Sequence, residues 1–177
     1  MAKPWSAELR LIGAGGEPVD LWRTLTSHGV AELPPQVVDE HARTLETTLP
    51  LPRARARTIR VRAGRKGHAR IEGEGVGGAD GRILEAAARH MLRLDADLSS
   101  FYQAAREDPD LAWAGDGAGR MLRSPTVFED VVKTICTTNC TWSATVRMTT
   151  ALVDRLGIEA PDGRRTFPTA AAMAEAG

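Results

Sequence analysis

Apolar and polar residues alternate with a period of two along four short stretches in the first half of the chain. These stretches are residues 8–12, 43–49, 58–62 and 68–72. Such alternation predicts strands that bury one face and expose the other. The glycine-bounded turn at residues 64–67 (GRKG) predicts that the last two strands pair as an antiparallel hairpin.

One helix interrupts the predicted strands. Residues 19–28 carry apolar side chains at helical spacing, and Gly29 follows as a candidate C-cap. Pro34 and Pro35 then break the chain before the later strands begin. This half therefore predicts an antiparallel sheet with a single helix.

The second half has helical rather than alternating periodicity. Residues 83–92 and 97–106 each place apolar side chains along one stripe, and Asp97 is the expected N-cap of the second of these helices. Residues 145–156 predict a later helix that ends at Gly157. We therefore expect an α+β chain in which an all-α segment follows the sheet.

The helix before the last one has the clearest start signal, with Ser124 as N-cap and Pro125 as its first residue. Its apolar residues recur at i, i+3, i+4 and i+7, which predicts a core helix. These residues are Phe128, Val131, Val132 and Ile135.

A glycine-rich stretch, residues 73–81, separates the two kinds of pattern. It predicts a linker, so we expect an N-terminal domain of residues 1–81 and a helical domain of residues 82–177. The earlier GAGG stretch, residues 13–16, invites a dinucleotide-binding interpretation. However, Pro18 occupies the position of the third glycine, and alternating strands do not suit a doubly covered parallel sheet.

Charge adds one local feature. The chain has 23 basic and 23 acidic residues, so its net charge alone does not favour a polyanionic partner. Residues 53–70 nevertheless contain eight basic residues and no acidic one. Either these arginines form a solvated strand face, or they follow a phosphate backbone.

Two cysteines, Cys136 and Cys140, are the only thiols. Their close spacing indicates reduced, small core residues rather than a stabilising disulfide. No further ligands stand near them, so we expect neither a metal nor any other cofactor. The chain has no apolar run of about 18 residues and no signal-peptide core, so we expect a cytoplasmic protein without a membrane partner.

The stretch ICTTNCTW, residues 135–142, places a polar break between two predicted helices. Thr137, Thr138 and Thr141 are suited to capping the second helix, and Asn139 tolerates a left-handed turn. Alternatively, the break faces nucleic acid, because a helix N-terminus attracts phosphate and an asparagine amide can hydrogen-bond bases. Trp142 is expected to pack beneath this corner.

The phrases LRSPTVFE (residues 122–129) and ICTTN (residues 135–139) resemble the opening helices of the helix-hairpin-helix DNA glycosylase superfamily. The nearest likeness is to its 3-methyladenine and 8-oxoguanine branch. The FPT at residues 167–169 resembles the stretch that follows, and HGVAELPP (residues 28–35) resembles a phrase of the N-terminal TBP-like domain. The resemblance implies a TBP-like antiparallel sheet followed by the first helices of a glycosylase domain.

The resemblance also implies a function in base excision repair on double-stranded DNA that contains a damaged purine. Asn139 matches the residue that fills the space left by the flipped nucleotide and contacts the orphaned base. Thr137 would lie toward the flipped-base pocket, while Thr138 and Thr141 would support the corner or reach a phosphate. The 8-oxoguanine branch has an arginine where this chain has Ala144, so the opposite-base preference stays open.

The family's catalytic hairpin, with its LPGVG-like loop and later aspartate, does not occur before Gly177. We therefore assign no catalytic residue and expect no glycosylase activity from this chain alone. Acidic residues such as Glu129, Asp130 and Asp154 are expected to be solvated or ion-paired on helix surfaces.

Three possibilities remain at this point. The chain is the front half of a glycosylase, which would be a monomer once its missing helices are present. It is a non-enzymatic DNA-binding module, or it is a truncated product without independent activity. Exposed apolar faces on the last two predicted helices would favour the last of these.

Overall fold

A computed structural model describes residues 5–176, which form an antiparallel sheet and a set of helices. The strands are β1 (Trp5–Arg10), β2 (Val37–Asp39), β3 (Thr44–Leu51), β4 (Arg55–Ala63) and β5 (His68–Gly73). The helices are α1 (Leu21–Leu25), α2 (Gly78–Met91), α3 (Ser99–Glu107), α4 (Val127–Thr137), α5 (Trp142–Leu156) and α6 (Ala170–Glu175). Short 3₁₀ helices occupy Gly29–Glu32 and Ala112–Asp116.

The strands pair antiparallel in the order β1-β5-β4-β3-β2. The predicted hairpin is confirmed: Ala63 pairs with Ala69, and the Gly64 amide donates to the His68 carbonyl at 2.9 Å across the turn. The antiparallel order also confirms the rejection of a doubly covered parallel sheet. Edge strand β2 was not predicted, because three residues are too few to show a period.

One face of the sheet carries the main hydrophobic core. Leu45, Ile59 and Ile71 on this face are buried against apolar residues of α1 and α2. Helix α2 begins at Gly78, inside the predicted linker, which leaves only residues 74–77 between β5 and the helix. Because α2 shares the core of the sheet, it is packed with the N-terminal half; the boundary at residue 81 stays a prediction.

Helix α1 is shorter than the predicted helix over residues 19–28. Asp20 is its N-cap, accepting from the Arg23 amide at 3.0 Å, and the C-cap is Thr26 rather than Gly29. The next two residues contact the second half of the chain instead. The Ser27 hydroxyl accepts from the Leu122 amide at 2.9 Å, and the His28 ring contacts the Leu122 carbonyl at 2.9 Å.

The GAGG stretch packs against a buried ion pair. Arg120 contacts Glu17 at 2.5 Å, and both side chains are almost fully buried. A methyl group on Gly13 would overlap both of these charged groups, and one on Gly15 would overlap the Asp97 carboxylate. Gly13 therefore allows the backbone to approach a buried ion pair, and Gly15 allows it to approach the exposed carboxylate of Asp97.

Helix α3 starts one residue later than expected. Leu98 is its N-cap, and the Asp97 carboxylate accepts from the Ser99 amide at 2.8 Å. Among the helices of the described part of the chain, none is both long and apolar enough to cross a bilayer.

Candidate nucleic-acid interface

Helix α4 leads into the polar break and begins two residues later than predicted. Thr126 is its N-cap, because its hydroxyl accepts from the Glu129 amide at 3.2 Å. Ser124, the predicted N-cap, is buried, and its amide donates to the Asp130 carboxylate at 3.1 Å.

The prediction that α4 is a core helix through its apolar stripe was wrong. Val131 is 50% exposed and Ile135 is 61% exposed, whereas Glu129 and Lys133 are buried. Val127 continues the exposed stripe one turn earlier. The polar face is buried because it packs against the N-terminal half of the chain, at Leu33 and Gln36.

Lys133 joins α4 to the loop before β2. Its Nζ donates to the Leu33 carbonyl at 3.1 Å and to the Gln36 side-chain oxygen at 3.0 Å. Its ion-pair partner is Glu129 Oε1 at 2.6 Å, and the ammonium also lies 5.7 Å from the centre of the Phe167 ring. This network fixes the orientation of α4 and therefore the position of the polar break that follows it.

The expectation that Glu129 is a surface carboxylate was also wrong. It is 3% exposed, and its burial raises its pKa, while the neighbouring Lys133 ammonium opposes that rise. A Glu and a Lys four residues apart usually form a surface pair on a helix. The sequence pattern therefore did not reveal their burial, which depends on a loop about a hundred residues away.

The hypothesis that all three threonines of the break cap the second helix is confirmed for Thr141 and wrong for the other two. Thr141 is the N-cap of α5, and its hydroxyl accepts from the Ala144 amide at 3.3 Å. Thr137 and Thr138 bond backward instead, donating to carbonyls of α4 at 2.7 Å each. Only Thr141 therefore caps the second helix, while the other two satisfy the end of the first.

Asn139 is at the tip of the corner and has a left-handed backbone conformation, with φ of 53°. This confirms that the position tolerates such a turn. Its side chain is exposed, and within residues 5–176 its amide has no hydrogen-bond partner. Capping therefore accounts for the threonines but leaves the Asn139 amide free.

Thr145 and the cysteines hold the two sides of the break together. Thr145 Oγ1 donates to the Cys136 carbonyl at 2.7 Å, and Cys140 Sγ lies 3.2 Å from the same hydroxyl. The cysteines are free thiols, but Cys136 is only half-buried and Cys140 is exposed, so the prediction of core residues was wrong. The sequence does not reveal this tie, because Thr145 has only the spacing of a residue inside a helix.

The N-terminus of α5 is open to solvent. Trp142 is 49% exposed rather than packed beneath the corner, and its ring edge lies close to Gly29. Ser143 is exposed beside Thr141, with their hydroxyl oxygens 3.1 Å apart, and Arg147 is exposed one turn further along. Free amides at a helix start, with hydroxyls and a cation nearby, suit a phosphate.

The basic strands form a solvated face in which most of the arginines are paired with carboxylates. Arg60 and Arg62 lie on the face opposite Ile59 and Val61, as predicted. Arg60 contacts the carboxylate of Glu46, and Arg62 contacts that of Glu72 at 2.8 Å.

These carboxylates already balance much of the basic charge. The hydrogen bond from Arg62 lowers the pKa of Glu72, and the one from Arg55 lowers the pKa of Asp80. A phosphate would have to displace ionised partners from this face. Contact with the Asn139 amide would require no such displacement, because that amide has no partner among residues 5–176.

No family model and no curated protein matches this chain. A solved structure described as a 3-methyladenine DNA glycosylase from Archaeoglobus fulgidus superposes on 98% of it, with a TM-score of 0.73 and 21% identity. The two chains share a fold. The predicted α+β, glycosylase-like architecture is thereby confirmed, whereas the helix-hairpin-helix motif itself is not tested. This chain spans 59% of the length of that structure.

Proposed function

We propose that this chain recognises double-stranded DNA at a damaged base, as the DNA-contacting part of a glycosylase-type fold. The observation that carries the proposal is the free amide of Asn139 at the tip of an exposed corner. The fold shared with a protein described as a DNA glycosylase supports it. A damaged purine is the substrate class that this resemblance suggests.

The corner has the groups that such a contact needs. Base flipping leaves an unstacked space and an unpaired base in the opposite strand. The amide of Asn139 offers both a donor and an acceptor to that base. The start of α5, with the hydroxyls of Thr141 and Ser143, would hold an adjacent phosphate.

The remaining corner threonines have supporting positions in this proposal. Thr138 is exposed next to Asn139, while Thr137 is half-buried on the α4 side of the turn. Both hydroxyls are donors to α4 carbonyls, which leaves their oxygen lone pairs able to accept from DNA. Thr137 is the one we place toward a flipped base.

The proposal covers recognition and not bond cleavage. Glycosidic cleavage needs an ionised carboxylate or a nucleophile beside the sugar. Near the corner, Glu129 is buried and bonded to Lys133, so it is not available to a sugar. We expect no release of a damaged base by this chain on its own.

Equilibrium binding to two duplexes tests the proposal. One duplex carries a single abasic analogue and the other is intact and otherwise identical, with fluorescence anisotropy as the readout. The unmodified chain should bind the abasic duplex more tightly. Equal affinity for both duplexes would favour a DNA-binding module without damage recognition, and no binding to either would overturn the proposal.

Substitutions at Asn139 then test the residue. Asn139→Gly keeps the left-handed turn accessible and removes the amide, whereas Asn139→Ala adds backbone strain. Losing one or two neutral hydrogen bonds of about 1 kcal/mol each should lower the preference for abasic DNA roughly 5- to 30-fold in both variants. Arg147→Ala is the matched control, since losing a phosphate contact should weaken both duplexes alike. An unchanged preference in Asn139→Gly would remove the role assigned to Asn139.

A further inference from the structure

The two thiols of the chain bracket the residues proposed to touch DNA. Cys136 lies in the last full turn of α4, and Cys140 follows in the break, so only Thr137, Thr138 and Asn139 stand between them. Both thiols are free, Cys136 half-buried and Cys140 exposed. Neither thiol has a part in the DNA contact described above.

The local geometry brings the two cysteines together. Cys140 Sγ lies 2.9 Å from the Cys136 carbonyl oxygen, so the chain has turned back on itself over four residues. Helix α4 ends at Thr137 and Asn139 has a left-handed conformation, so the break turns Cys140 back against the end of α4 that carries Cys136. Each cysteine therefore has the other as a reachable partner.

The surroundings of the two thiols give them different roles in oxidation. Cys140 is open to solvent, so a small oxidant reaches it first. Burial raises the pKa of Cys136, and the nearby Cys140 thiol adds to that rise. Cys136 is half-buried and so is less accessible to an oxidant, which places it second, as the thiol that attacks the oxidised Cys140.

We propose that Cys136 and Cys140 form a reversible disulfide on exposure to a peroxide. The Cys140 thiolate attacks one peroxide oxygen, forming an S–O bond while the O–O bond breaks and hydroxide leaves. The Cys136 thiolate then attacks the Cys140 sulfur, the S–S bond forms, and a second hydroxide leaves. In sum, two thiols are oxidised by two electrons, and one hydrogen peroxide is reduced to two waters.

This bridge would change the corner. It would remove the Cys140 contacts to the Cys136 carbonyl and to Thr145, which hold the start of α5 against the end of α4. Asn139 lies inside the closed loop, so its position would shift with the bridge. This consequence rests on the proposed function: the oxidised chain should lose its preference for abasic DNA, and a dithiol reductant should restore it.

Mass spectrometry of the full chain tests the chemistry without any DNA. Cleavage after Lys133 and Arg147 leaves both cysteines in one peptide, residues 134–147. After hydrogen peroxide treatment, that peptide should lose two hydrogens, and a reductant should return them. A peptide that gains only oxygens, or a chain that forms only intermolecular dimers, would overturn the proposal.

Two single variants serve as matched controls. Cys136→Ser has no resolving thiol, so its Cys140 should stop at a sulfenic acid that a carbon nucleophile such as dimedone traps. Cys140→Ser should stay largely unmodified, because its remaining thiol is half-buried. Equal trapping at both positions would contradict the order of the two steps.

The binding readout separates this proposal from the function on which it rests. If the disulfide forms but the preference for abasic DNA stays the same, the link between oxidation and recognition is refuted. If the reduced chain shows no such preference in the first place, the proposed function fails. The mass of the peptide still shows whether the disulfide forms.

Discussion

Replacing Lys133 with methionine removes a buried ammonium group while keeping much of the side-chain length. In the native chain the ammonium is paired with Glu129 at 2.6 Å and donates to two neutral oxygens of the loop before β2. The substitution leaves the Glu129 carboxylate buried with no cation beside it. Breaking a buried ion pair from one side typically costs about 3–5 kcal/mol, so we expect a loss of that size in the free energy of unfolding.

Two controls separate the charge from the packing. In the double variant Lys133→Met with Glu129→Gln, no buried charge is left unpaired, so the loss should fall to about 2 kcal/mol or less. Arg123→Met removes one partner of an exposed pair, Arg123 with Asp95 at 3.2 Å, and should cost less than about 1 kcal/mol. Urea unfolding followed by circular dichroism measures all three.

The loss in Lys133→Met should also depend on pH. Burial already raises the pKa of Glu129 above its ordinary value of 4.5, and removing the opposing ammonium raises it further. The folded variant then holds a proton that the unfolded chain releases, so its stability is highest below pH 4.5 and is lost as the pH rises through the raised pKa. The difference in the free energy of unfolding between the variant and the native chain should therefore increase as the pH rises above 4.5. A loss below about 1 kcal/mol near neutral pH, or one that does not change with pH, would refute this account of the pair.

Three further substitutions test the packing of two glycines and the exposure of the apolar stripe of α4, all through the free energy of unfolding. Gly13→Ala should lower the free energy of unfolding by about 1–3 kcal/mol, because its methyl group overlaps Glu17 and Arg120, whereas Gly78→Ala meets open space in α2 and should change it by less than about 1 kcal/mol. Equal effects in urea unfolding would contradict the packing argument. Ile135→Asn should leave the stability of the chain within about 0.5 kcal/mol, since Ile135 is 61% exposed, while a loss of 2 kcal/mol or more would mean that the stripe is already covered.

Local patterns predicted the hairpin strands and the turn at Asn139 well. Alternation along residues 58–62 and 68–72 depends only on which face each side chain takes, and both strands form with the expected hairpin. The left-handed turn at Asn139 and the N-cap at Thr141 are likewise set within a few residues. Features of this kind need no knowledge of distant partners.

Features that depend on distant partners were not predictable in the same way. The apolar stripe of α4 has the spacing of a core helix, yet the helix buries its Glu129 and Lys133 face against Leu33 and Gln36. Gly13 of the GAGG stretch is likewise required because Arg120, about a hundred residues further along the chain, packs against it. Spacing identifies a face, but the partner that covers it comes from elsewhere in the fold.

The exposed stripe bears on how the chain is used. Val127, Val131 and Ile135 recur every four residues along one side of α4, which is the spacing by which one helix contacts another. The matched structure is longer than this chain, which spans 59% of it.

Nuclear magnetic resonance tests the central claim most directly, because it shows where DNA touches the chain. Backbone and side-chain amide signals would be followed while a duplex with one abasic analogue is added. The account predicts that the changes cluster at residues 137–144 and include the side-chain amide of Asn139, with little change along β4 and β5. Changes confined to the arginines of those strands, or none at the corner, would contradict it.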